Sequence, residues 1–201
     1  ASKGEGLGNK FLGNIRQTDA IIHVLRCFDD SNIAHVNGAI DPVRDKEIID
    51  YELQIKDLET IDSRINKVQK QAQTGGDKQA KVAYEVLLRY KLALEQGKSA
   101  RTVKFDTKDE QKIAHDLFLL TNKPVLYVCN VDEASILKGN RHVDMVREAI
   151  QEEGSELLVV AAKIESEIAE FEDAEERSLF LQELGLKESG VNRLIKAAYK
   201  L

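Results

Sequence analysis

Between Pro42 and Pro124 lie 81 residues without a proline, and they carry the strongest periodic pattern in the chain. Ile48, Tyr51, Ile55, Leu58, Ile61, Ile65, Val68 and Ala72 succeed one another in steps of three or four, which is one face of a helix. Thr74-Gly75-Gly76-Asp77 then supplies a glycine stop and an aspartate able to cap the next helix. Ala80, Ala83, Leu87, Tyr90 and Leu94 resume the same period. The pattern predicts an antiparallel helical hairpin with arms of roughly 29 and 20 residues, about 44 and 30 Å at 1.5 Å per residue. A small domain cannot cover such a hairpin on all sides, so it is expected to project.

The flanks obey a different rule. Residues 20–28, 124–130 and 156–162 are nearly continuous apolar runs, the pattern of strands buried on both faces. A helical stretch from Val143 to Glu153 between the last two runs makes a parallel strand–helix–strand unit. Asp173 and Glu176 predict a capping box, Gly185 ends that helix, and Val191, Leu194, Ile195 and Ala198 mark a last one. The expected fold is therefore α/β, a parallel sheet flanked by helices and interrupted by the hairpin. Three strands make a meagre sheet, so the chain reads as the second half of an α/β domain. With 201 residues, 42% of them hydrophobic and 32% charged, it can build a core and is not a disordered chain. No apolar run approaches the ~20 residues of a membrane helix. Cys27 and Cys129 sit in apolar runs as small core residues, which suits the cytosol.

Several segments could carry chemistry. The glycine-rich stretch from Lys3 to Lys10 precedes a helix, and glycines let backbone N–H groups approach an anion. It is not a Walker A or dinucleotide fingerprint, and a plain flexible loop is the alternative. Asn130-Val131-Asp132-Glu133 closes a buried strand, where open α/β sheets bind ligands. Guanine-nucleotide proteins place N-K-x-D there; here Glu133 stands at the fourth position, one methylene too long for the usual guanine contact. Ala161-Ala162-Lys163 ends the next strand, in the place of a second base loop resembling S-A-K. The pair of loops is more specific than either alone. His35 comes after the first strand in a polar loop and could orient a water. His23 is read as a core or interface residue. His115 and His142 lack ligand partners at metal spacing.

Charge is uneven along the hairpin. Residues 44–62 hold 3 basic and 7 acidic side chains, whereas residues 64–104 hold 10 basic and 3 acidic. The chain as a whole is acidic, at −6. A basic distal segment on an acidic protein points to a phosphate-rich partner such as structural RNA, with Lys67, Lys70, Lys78 and Lys81 as candidate contacts. Overall acidity argues against a general nucleic-acid coat.

The stretch from Ala1 to Leu12, then Arg26-Cys27-Phe28, Gly75-Gly76-Asp77-Lys78, Asn130-Val131-Asp132-Glu133, residues 164–170 and Val191-Asn192-Arg193-Leu194-Ile195 closely resemble the YchF-type Obg-like ATPases. The resemblance runs the length of the chain. It implies a P-loop NTPase of the translation-factor class that prefers ATP to GTP and associates with ribosomes. It also implies a coiled-coil domain inserted in the G domain, with a β-rich TGS domain after it.

By that resemblance, Asn130, Val131 and Glu133 fall on the altered base-recognition motif, and Ala161, Ala162 and Lys163 on the adjoining base loop. Gly4, Gly6 and Gly8 fall on the switch II loop, and His35 on a histidine implicated in hydrolysis. The expected organisation is residues 1–42 and 105–201 in the G domain, with the hairpin inserted at 43–104. Walker A, the switch I threonine, D-x-x-G and the TGS domain have no counterpart in these 201 residues, so the chain is expected to be a fragment whose partner segments hold phosphates and Mg²⁺. Alone it is expected to be inactive. The expected partners are ATP with Mg²⁺ and the ribosome, through its RNA and proteins, in the cytoplasm, with no membrane and no DNA. The rival reading is a non-catalytic hairpin module with vestigial nucleotide loops.

Overall fold

The structure, a computed structural model, describes residues 7–30, 39–74 and 78–201. The order is α1 (Leu7–Arg16), β1 (Ile21–Arg26), α2 (Pro42–Thr74), α3 (Lys78–Glu95), α4 (Lys108–Asp116), β2 (Val125–Asn130), α5 (Arg141–Ala149), β3 (Glu156–Val160), α6 (Ala162–Glu170), α7 (Ala174–Glu183) and α8 (Gly190–Ala198), with short 3-10 turns between them. The chain forms two compact units, residues 20–46 with 124–201 and residues 1–19 with 47–123.

The first unit holds a parallel sheet in the order β1-β2-β3. Ile21 pairs with Val125 and Arg26 with Asn130, while Leu126 pairs with Glu156 and Asn130 with Val160. Central β2 is buried on both faces, as its apolar run requires. β1 departs from that expectation. Leu25 enters the core, but Ile22 and Val24 are 45% and 62% exposed. Alternate residues of a strand share a face, and this one is only partly covered. An uninterrupted apolar run gives no sign of which face is open. Cys27 and Cys129 are fully buried core residues, and the hydrogen bond between their sulfurs, together with burial, pushes the Cys27 thiol up. Tyr127 donates to Glu153 at 3.0 Å, and Glu153 also holds the buried Lys46 ammonium at 2.6 Å. The His23 ring lies 5.6 Å from that of Tyr127.

The second unit holds the hairpin. α2 begins at Pro42, where the missing N–H is no loss, and Asp41 caps it by accepting the Arg44 N–H at 3.0 Å. The arms run 33 and 18 residues. The predicted stop at Gly75, Gly76 and Asp77 lies outside the described residues. Ile61, Leu87, Tyr90 and Leu94 form the core expected of the periodic face, and Val86, which that face did not include, is buried with them. Nearer the start of α2 the buried side is Leu53, Gln54 and Asp57, while Ile48 and Tyr51 are exposed. Polar burial there has a cause. The fully buried Asp57 carboxylate accepts the N–H of Leu120 at 2.8 Å, the N–H of Thr121 at 2.7 Å and the Thr121 hydroxyl at 2.8 Å. Thr121 Oγ1 in turn accepts the Ala100 N–H at 3.0 Å.

These contacts, with α4 and Leu117 and Leu119 packed on the same core, place residues 105–123 with the hairpin and not with the sheet. The compact units thus divide the chain away from the expected boundaries at 42 and 104. α1 also falls in the hairpin unit: Arg16 donates to Thr60 at 3.0 Å and to the Phe118 carbonyl at 3.3 Å.

Candidate functional site

The loops that leave β2 and β3 are joined at their origin. Asn130 Oδ1 accepts the Ala162 N–H at 2.9 Å, and the Val131 N–H donates to the Val160 carbonyl at 2.8 Å. α6 needs this help, because its N-cap is Ala161, which has no oxygen to offer the first turn. Asn130 supplies the cap from the neighbouring strand. With Oδ1 engaged, its Nδ2 is the group left to donate, and it has no partner among the described residues.

Val131 is buried, and its N–H is taken, so it can present only its carbonyl oxygen to a ligand. Asp132 caps the next 3-10 turn by accepting the Ser135 N–H at 2.9 Å, while Glu133 is exposed in that turn. Ala161 is fully buried and faces the core; Ala162 and Lys163 are exposed in the first turn of α6. The structure thus brings Asn130, Val131, Ala161 and Ala162 together. Gly4, Gly6 and His35 lie outside the described residues. Gly8 falls in the first turn of α1, since the helix after the glycine-rich stretch begins at Leu7.

Sequence reasoning missed Asn140. Its Oδ1 caps α5 by accepting the N–H of His142 at 3.0 Å and of Val143 at 3.2 Å, and its Nδ2 donates to the Cys27 carbonyl at 2.7 Å. An asparagine just before an amphipathic stretch is a readable cap; its reach to β1 is not. His142, 4% exposed, meets Asp29 through Nε2 at 3.2 Å, and its Nδ1 has no hydrogen-bond partner among the described residues.

In the hairpin unit Lys67, Lys70, Lys78 and Lys81 are all exposed. Arg89 pairs with Glu110 of α4 at 3.1 Å, and Lys91 with Asp62 of α2 at 2.7 Å. These two ion pairs offset part of the basic charge toward the base of the hairpin. A cleft of about 660 Å³ is lined by Val68, Ala80, Val82, Ile113 and both signs of charge, Lys78 and Lys112 with Asp109 and Asp116. That mixture does not make a phosphate pocket. No helix among the described residues is long and apolar enough to cross a membrane.

A parallel sheet flanked by helices, with joined loops at the carboxyl ends of two adjacent strands, defines the class: the α/β fold of a P-loop NTPase G domain. The chain is homologous over its whole length to the YchF proteins. It is 53% identical over 203 residues to the ribosome-binding ATPase YchF of Bacillus subtilis (strain 168), covering 100% of this chain and 55% of that protein. It is 47% identical over 201 residues to the protein of the same name from Escherichia coli O157:H7, covering 100% and 54%. The solved structure of the Schizosaccharomyces pombe YchF GTPase superposes with a TM-score of 0.84 at 31% identity, covering 100% of this chain and 54% of that one. The chain spans about half the length of the relatives it matches. No protein-family model matches it.

Proposed function

We propose that this chain supplies the base-recognition loops and helical arm of a cytoplasmic, ribosome-associated protein that binds and hydrolyses ATP, and GTP less well. The observation that carries the reading is the joint between the strand-end loops, in which Asn130 braces Ala162 and keeps one donor free. Both purines offer N7 as an acceptor for that Nδ2. Choice between them falls to two other groups. The Val131 carbonyl accepts from the adenine N6 amino group and would repel guanine O6. The Glu133 carboxylate is a methylene too long to take guanine's N1–H and N2–H₂ together.

In the intact protein, phosphates and Mg²⁺ are held by residues outside these 201, and the metal supplies charge neutralisation at the phosphoryl group. The stretch around Gly4, Gly6 and Gly8 acts as switch II, and His35 orients the attacking water. The distal lysines of the hairpin contact ribosomal RNA and protein; no membrane and no DNA is engaged. Turnover of ATP and GTP by the intact protein, with and without ribosomes, tests this. Hydrolysis favouring ATP together with co-sedimentation is expected. Ribosome binding without turnover of either nucleotide would favour the non-catalytic module instead.

A further inference from the structure

α6 starts in the base loop, and its first turn is fastened at its far side by Glu165, a residue to which the sequence reading assigns no role. Glu165 closes that turn with its own N–H, which donates to the Ala161 carbonyl at 3.0 Å. Its carboxylate meanwhile accepts from the N-terminus of α8, from the Gly190 N–H at 2.6 Å and the Val191 N–H at 3.0 Å. A carboxylate there satisfies two backbone donors that a helix leaves open and sits at the positive end of the helix dipole. The approach is close enough to exclude a side chain at position 190. A Cβ on Gly190 would lie 2.8 Å from Glu165 Oε1 and 3.0 and 3.1 Å from the Val160 methyls. One turn further on, Arg193 donates to the Val159 carbonyl at 2.7 Å. α8 therefore grips both the end of β3 and the start of α6, the segments on either side of Ala161.

From this geometry we infer that Glu165 is a positioning residue for adenine binding: by holding the first turn of α6 against α8, it keeps Ala162 where Asn130 can brace it and so aims the free Asn130 donor. The inference rests on the base-site reading above. Glu165 touches no nucleotide itself; its effect passes through Ala161 and Ala162. A group acting in this way governs how the base is met and leaves the grip on the phosphates alone.

The test compares affinities of the intact protein for ATP and for inorganic tripolyphosphate, which has no base. Glu165→Ala should weaken ATP by about tenfold, since small misplacements of a positioned group are expensive, and leave tripolyphosphate unchanged. Glu165→Gln keeps one acceptor and should recover at least half of that loss on a logarithmic scale. Gly190→Ala, which displaces the same contact from the other side, should repeat the Glu165→Ala pattern and serves if that variant does not fold. Unchanged ATP affinity in Glu165→Ala and Gly190→Ala, or a parallel fall for ATP and tripolyphosphate, overturns the inference. Asn130→Ala separates the two levels. If it weakens ATP while the Glu165 and Gly190 variants do not, only the positioning role fails. If it too has no effect, the base-site reading fails and the inference with it.

Discussion

Replacing Asp57 tests the structure most directly, because one carboxylate serves three donors in a dry interior. Asp57→Ala leaves the Leu120 N–H, the Thr121 N–H and the Thr121 hydroxyl without their acceptor. An orphaned buried donor costs about 1–3 kcal/mol. Some of that total is recovered because a buried charge disappears, so the net loss should be about 3–5 kcal/mol. Against an ordinary stability of about 5–15 kcal/mol, that is a large fraction. Asp57→Asn keeps one acceptor but turns an amide N–H₂ toward another donor, and should cost about 1–3 kcal/mol.

The pH dependence has a definite sign. Burial raises the Asp57 carboxyl above its usual value, outweighing the donors from Thr121 and Leu120 that pull it down. The folded state then binds the proton more tightly than the unfolded one. This contribution is fully present below the unfolded pKa and is lost as pH rises through the folded value. The stability gap between wild type and Asp57→Asn should therefore widen on acidification from neutrality. Urea unfolding monitored by far-ultraviolet circular dichroism at several pH values reads both quantities. A loss under about 1 kcal/mol in Asp57→Ala would refute the donor argument, and a gap that narrows in acid would show that the donors outweigh burial.

Reversing Lys67, Lys70, Lys78 and Lys81 to Glu should weaken ribosome co-sedimentation of the intact protein, and wild-type binding should fall with salt; insensitivity to both would remove the electrostatic role of the distal hairpin. Glu133→Asp should shift the ATP:GTP preference toward GTP by about 1–2 kcal/mol in competition titrations if a charge-assisted pair of hydrogen bonds is gained. Asp132→Asn, which keeps the cap on Ser135, should leave that preference unchanged. Residues 1–201 alone should bind ATP no more tightly than about −4 to −6 kcal/mol and hydrolyse none above background; calorimetry giving low-micromolar affinity would contradict the proposed division of labour.

The parts of this fold that were legible in advance are those specified by neighbours in sequence. The hairpin showed in its period, the parallel unit in its apolar runs, and the α7 cap in Asp173, which accepts the Glu175 N–H although the predicted reciprocal contact with Glu176 is not made. α4 could also have been read, since Thr107 and Glu110 form a capping box, but its apolar face is short. The features that stayed hidden depend on distant partners. α6 begins at Ala162 behind an alanine that has no capping power, because its cap arrives from Asn130, 32 residues away. Asp57 occupies a core position because Thr121 awaits it. At the site, motif spacing located the base loops, but only the structure shows that the Val131 side chain and N–H are unavailable to a ligand.

The insertion of the hairpin unit between β1 and β2 also shapes the order in which the chain can fold. These two strands are immediate neighbours in the sheet, yet about a hundred residues separate Arg26 from Val125. Zipping them from an unfolded chain means closing that whole loop. Once Asp57 has caught Leu120 and Thr121, the effective loop shrinks to about a third of its length. On a logarithmic closure law the saving is about 1 kcal/mol, or roughly fivefold in the rate of pairing if closure limits it. The arm proposed to meet the ribosome is thus also a splint. Its early formation brings the two ends of the broken sheet within reach of each other.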